Sequence, residues 1–200
     1  MIPYRMNPMG VASLPYKRKL EYLESTGTQW IDTGVIPFAG MPFEVKFSYS
    51  GASSSIRYVF GLFEYNNPTS SFWFGFNNAG KIGFNNGAQN LSLSNGVSGS
   101  PNTIYTAVCD ENGFAVNGNI ASTSTVSGYT YEHSIPLFIR HNYGSPPEFE
   151  LPGTGVRIYS ITLGSMELIP VIDKQNVPCM FNKVSGTMLY NSGSGQFLYA

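Results

Sequence analysis

From residue 20 onward the apolar residues recur at every second position, and no stretch keeps a helical spacing for more than a turn or two. The clearest runs are EVKFSYS (44–50), RYVFGLFEY (57–65), SSFWFGFN (70–77), KIGFN (81–85), NTIYTAVC (102–109), GFAVNG (113–118), IPLFIRHN (135–142) and VRIYSITL (156–163). Clusters of Gly, Asn, Ser and Pro separate them, as expected of turns between short strands. DENG at 110–113 and NGN at 117–119 read as hairpin turns. This pattern predicts an all-β chain, an antiparallel β-sandwich or jelly roll.

Alternation also sorts side chains by face. Around SSFWFGF, Phe72, Phe74 and Phe76 fall on one side, and Ser71, Trp73, Gly75 and Asn77 on the other. The Phe side is predicted core. Trp73 has two readings: packed against the second sheet, or standing over small polar neighbours as a platform for a sugar ring. On the platform reading, Trp73, Tyr65 and Tyr143 meet the sugar, and turn asparagines, among them Asn66, Asn77, Asn78, Asn85 and Asn86, bond its hydroxyls. On the other reading those asparagines serve left-handed turn geometry.

The 200 residues suit one large all-β domain or two small ones. A chain of this length buries roughly 70% of its unfolded surface, so its core needs no metal or disulfide. Only 12% of residues are charged and the net charge is −1, which gives no electrostatic footprint for nucleic acid or an anionic membrane. Cys109 and Cys179 read as two reduced, buried thiols, with a disulfide as the alternative.

Residues 1–19 differ from the rest. Pro3, Pro8 and Pro15 predict an extended arm without a core of its own, and Arg5, Asn7 and Gly10 join two of these prolines in interrupting any signal-peptide stretch. The arm is either a frayed terminus or a docking segment, the latter through Ile2, Tyr4, Met6, Met9, Val11 and Leu14.

Catalytic signals are sparse. Aspartates occur only at 32, 110 and 173, and no strand carries the alternating acids of β-jelly-roll glucanases. The nearest approach is Glu148 and Glu150, about 7 Å apart if extended, but SPPEFELPG (145–153) reads as a loop. The carboxylates of LEYLESTGTQWIDTG (20–34), namely Glu21, Glu24 and Asp32, have no nearby histidine or cysteine in sequence. His133 and His141 alone cannot hold a metal, and although calcium is open at Asp32 or Asp110, nothing in the spacing asks for it. No cofactor is expected.

Three separated motifs, in order, carry a resemblance. LEYLESTGTQWIDTG, then IPLFIRHN with GVRIYSITL, then LIPVIDKQNVPCMFNKVSGTMLYNSGSGQFLYA (168–200) resemble the opening, late paired strands and closing motif of concanavalin A-like, laminin-G-like jelly-roll domains. Such domains occur in gut-bacterial surface proteins and phage structural proteins. The resemblance covers residues 20–200 and implies a jelly roll in which the opening stretch turns at Thr26-Gly27 and pairs with the closing segment, with Trp30 in the core. It departs at Asn182, where the family has an aspartate.

The resemblance implies adhesion, glycan contact or virion assembly, because lectins, glycosidases and structural modules share this fold. The leading expectation is a non-enzymatic phage virion protein, a head decoration or fibre subunit or a tail-associated adhesin, assembled in the host cytoplasm and bound to other virion proteins through its arm. The alternative is a carbohydrate-binding module of a phage or bacterial surface that meets host or mucus glycans. A glycoside hydrolase ranks last. The low charge leaves a homo-oligomer, such as a trimer, open.

Overall fold

The period-two runs fold as strands of two sheets that pack face to face as a β-sandwich. The computed structural model describes residues 13–51, 56–64, 71–77, 80–87, 89–90, 97–122, 130–143 and 149–200, and none of these is helical. The strands are β1 (Arg18–Lys19), β2 (Leu23–Glu24), β3 (Ile31–Asp32), β4 (Phe43–Tyr49), β5 (Arg57–Glu64), β6 (Ser71–Phe76), β7 (Ile82–Asn86), β8 (Gln89–Asn90), β9 (Tyr105–Asp110), β10 (Gly113–Val116), β11 (Asn119–Ser122), β12 (Pro136–Leu137), β13 (Ile139–Tyr143), β14 (Phe149–Pro152), β15 (Val156–Leu163), β16 (Met166–Ile172), β17 (Pro178–Asn182), β18 (Met188–Leu189) and β19 (Leu198–Tyr199).

Sheet A runs β11-β10-β9-β4-β15-β16-β17-β18. Its β9–β10 hairpin turns at DENG, with Asp110 facing Gly113, and β10–β11 turns at Asn117-Gly118. Both turn residues of the second hairpin have positive φ, 49° and 77°, which only Asn and Gly adopt cheaply and which matches the twist of the flanking strands. Strands β15 and β16 pair only over Ile161–Leu163 and Met166–Leu168. Beyond that, the opening of the chain lies against both: β1 pairs with β16 and β2 with β15, and the Leu20 amide donates to the Pro170 carbonyl between them. Among the described residues the hydrogen bonding of the sandwich thus begins at Lys17, whose amide donates to the Ile172 carbonyl. Tyr16 packs on Phe181 at 5.2 Å and covers a small outer cluster of Val171, Cys179 and Phe181.

Sheet B runs β14-β13-β5-β6-β7-β8, with β3 and β12 attached beside β5. Two expectations change here. The run 135–142 is not one strand but breaks at Phe138, whose φ of 67° lets the chain switch from antiparallel pairing with β5 in β12 to parallel pairing in β13. The stretch 145–153, expected as a loop, contains β14, which pairs with β13 and tolerates Pro152 at its end.

The core lies between the sheets. Phe43, Val45, Phe47 and Tyr49 of β4 meet Phe60, Leu62, Phe72, Phe74, Phe76 and Phe84 of sheet B, all almost fully buried. Phe43 is the hub, in ring contact with Phe60, Phe74 and Phe84 across the sandwich and with Phe114 within sheet A. Edge-to-face geometry recurs, with Phe47 on Phe74 at 5.0 Å and 87°.

Candidate functional site

The predicted division of β6 holds: Phe72, Phe74 and Phe76 are buried in the core, and Trp73 stands half-buried on the outer face of sheet B. Across the strands Trp73 faces Gly61 on β5 and Asn85 on β7. A Cβ at position 61 would sit 2.4 Å from that of Trp73, so glycine is required for this register. The next row, Tyr58, Gly75 and Gly83, holds one large side chain. Tyr58 packs its ring edge-on to the indole at 5.6 Å, and the Arg140 guanidinium lies over Tyr58 at 4.9 Å and over Phe63 at 5.5 Å. Burial raises the Tyr58 phenol above its ordinary range, partly opposed by the Arg140 charge, so it is a neutral hydroxyl at physiological pH. Two residues along β13 from Arg140, the fully buried Asn142 amide has no hydrogen-bond partner among the described residues. The face therefore presents a half-buried indole and a half-buried cation beside a glycine-bare row.

The other expected ligand residues do not all join it. Asn77 lies on the same side of β6, about 13 Å along the strand from Trp73, but its Oδ1 accepts the Lys81 amide and closes the β6–β7 turn. Tyr143 is on the opposite side from Arg140 by alternation, and its ring is sandwiched between His133 at 3.8 Å and His141 at 4.2 Å. Its two faces are thus taken, which leaves none for a sugar. Tyr65, Asn66, Asn78, Ile2, Tyr4, Met6, Met9, Val11 and Glu148 lie outside the described residues. Leu14, the described member of the expected docking set, is 58% exposed.

The structure also reveals a pair that sequence reasoning missed. The buried Glu64 carboxylate accepts hydrogen bonds through Oε1 from the backbone amides of Glu132 and His133, and it pairs with His133 Nδ1 at 3.0 Å. The two residues are far apart in the chain, so no local spacing signals the contact. Among the described residues no three His, Cys, Asp or Glu side chains approach closely enough to hold a metal ion.

Two carboxylates of the opening stretch, Glu24 and Asp32, are structural. Glu24 is 7% exposed and bonds Arg157 Nε and Ser50 Oγ, each at 2.6 Å. Asp32 Oδ1 accepts the Gly34 amide and the Ser134 hydroxyl. Ser25, Thr26 and Gln29 close a turn in which Gln29 Oε1 accepts from the Thr26 amide and hydroxyl. The turn then meets the closing segment, Ser192 donating to the Trp30 carbonyl and Ser194 to that of Thr28. Trp30 itself is only half-buried, not core: Ile31 takes the inward position, and alternation sends the indole sideways against the edge of His141 at 6.4 Å. In the closing segment, Asn182 Oδ1 caps the following turn by accepting the Val184 amide.

Both cysteines are free thiols. Burial pushes Cys109 up to about 11, with Asp110 adding to it, and Cys179 up to about 12, with Asp173 adding to it. Neither forms a thiolate near neutrality.

No protein-family model matches the chain, and no curated protein matches it in sequence.

Proposed function

We propose that the protein is a non-enzymatic structural component of a bacteriophage virion, a decoration, fibre or tail-associated subunit. In this reading a concanavalin A-like jelly roll is displayed outward, and the segment ahead of the sandwich engages other virion proteins. The observation that carries the reading is the seam at the start of sheet A. Lys17 to Glu24 are bound into the sandwich by backbone pairing and Tyr16 by packing on Phe181, and just ahead of this fixed point Leu14 stands exposed. The likeness of the opening and closing motifs to phage structural jelly rolls supports the same reading. The test is co-sedimentation with particles lacking the protein, comparing residues 1–200 with residues 13–200. The shorter chain keeps Tyr16 and β1 and is expected to fold normally yet lose attachment; equal binding by both would refute an anchoring role for the arm. Deleting through residue 19 is a poorer test, because it removes a strand.

A second reading, contact with glycans, is favoured by the half-exposed Trp73 packed on Tyr58, over which the Arg140 guanidinium lies. Aromatic–sugar stacking uses the indole face, so Trp73→Ala is expected to abolish any signal from neutral glycans on an array while preserving the fold. A blank array for the unaltered protein would remove this reading.

A further inference from the structure

The outer face of sheet A carries a cavity of about 270 Å³ on the opposite side of the sandwich from Trp73. Lys46 of β4 and Tyr159 and Ser160 of β15 line it from the sheet, Lys19 and Glu21 from the opening segment, and Ile104 from the approach to β9. The strand pattern creates this arrangement: Val45 and Phe47 point into the core, so Lys46 between them must point out. Cations and rings alternate across the face. Arg157 lies over Tyr22 at 4.9 Å, Tyr22 meets Tyr159 edge-on at 5.6 Å, and Lys46 lies over Tyr159 at 5.8 Å.

The charges along this row are not equally neutralised. Arg157 is paired with Glu24, whereas among the described residues no carboxylate lies within ion-pair distance of Lys19 or Lys46. Two ammonium groups from different strands therefore border one cavity, with a phenol ring on its wall and a single carboxylate, Glu21, at its rim.

We propose that this cavity binds a sugar acid, a hexuronate residue. Its carboxylate meets Lys19 and Lys46 in charge-assisted hydrogen bonds. The C–H face of its ring lies on Tyr159, and its hydroxyls donate to Glu21 and exchange hydrogen bonds with Ser160. A neutral sugar leaves both cations without a counter-charge. A small inorganic anion makes no use of the ring and has no hydroxyl to donate to Glu21. Each feature of the wall thus has a partner only in a ligand that is both anionic and polyhydroxylated.

The test is a titration of the full chain with glucuronate, glucose and sulfate at low ionic strength, followed by NMR shifts or calorimetry. Glucuronate is expected to bind at least tenfold more tightly than glucose or sulfate. The Lys19→Gln/Lys46→Gln double variant should weaken it about tenfold, and added salt should weaken it in the unaltered protein. Both lysines are on the surface and their replacement should leave the circular dichroism unchanged. Trp73→Ala serves as the control for the other face and should bind glucuronate normally. Absence of glucuronate binding, equal binding of glucose or sulfate, full binding by the double variant, or loss in Trp73→Ala would each overturn the proposal.

Discussion

Replacing Phe43 by alanine is expected to lower the free energy of unfolding by about 3–5 kcal/mol, the range for deleting a fully buried aromatic. The ring is 2% exposed and touches Phe84 at 4.9 Å, Phe60 at 5.2 Å and Phe74 at 5.7 Å, so its loss opens a void bounded by three strands of the opposite sheet. Those neighbours are themselves held by backbone ladders and cannot collapse into the space, which places the loss toward the upper end. Phe43→Leu keeps much of the volume and should cost less than half as much. Urea denaturation followed by the fluorescence of Trp30 and Trp73 reads both variants. A change under about 1 kcal/mol for Phe43→Ala would mean that the two sheets are not joined through this hub.

The second large effect is expected at Glu24. Glu24→Ala removes the acceptor of both Arg157 and Ser50 inside the seam where the opening strand meets β15. Breaking a buried ion pair from one side costs about 3–5 kcal/mol when the remaining charge is trapped. Here the Arg157 side chain is 22% exposed and retains Asn102 and the Tyr22 ring, so the lower end, about 3 kcal/mol, is expected. The double replacement Glu24→Leu/Arg157→Met should recover much of that loss, because it leaves no uncompensated charge. Urea midpoints of the four species of this cycle give the coupling directly. Additive losses would show that the pair contributes nothing as a pair.

The strands whose sides differ in polarity were the legible ones. Residues 156–163 form β15 over the same span as predicted, and β4, β5 and β6 agree to within a residue at each end. Period-two patterning specifies these because a one-residue slip would send Phe72, Phe74 and Phe76 into solvent. The turns at DENG and NGN were legible for a local reason too: the sequence supplies residues that accept the required backbone angles. Phe138 shows the converse. A bulky residue at positive φ is disfavoured locally, and it is held there by packing on Phe197 and by hydrogen bonds with Val59 of β5 and with Gly153 just after β14.

The sites were less legible than the strands. Alternation put Trp73 on the face opposite the core phenylalanines but left open whether it was packed or exposed, and the same rule could not say that Tyr143 would be stacked between two histidines or that Asn77 would spend its amide on a turn. Glu64 and His133, and likewise Glu24 and Arg157, become partners only because strands distant in sequence are neighbours in a sheet. The cavity lined by Lys19, Lys46 and Tyr159 has the same origin, since three chain segments must converge to form it.

By itself, then, the sequence determined the class of fold, the inward faces of the main strands and the tight hairpins. Each of these follows from local backbone preference and from the period of apolar burial. Only the tertiary structure decided where the opening segment inserts, that Glu24 and Asp32 are spent on structure, and which outward side chains gather into surfaces that can meet a partner. Such choices depend on contacts between residues more than a hundred positions apart, and a pattern that repeats every two residues carries no information about them.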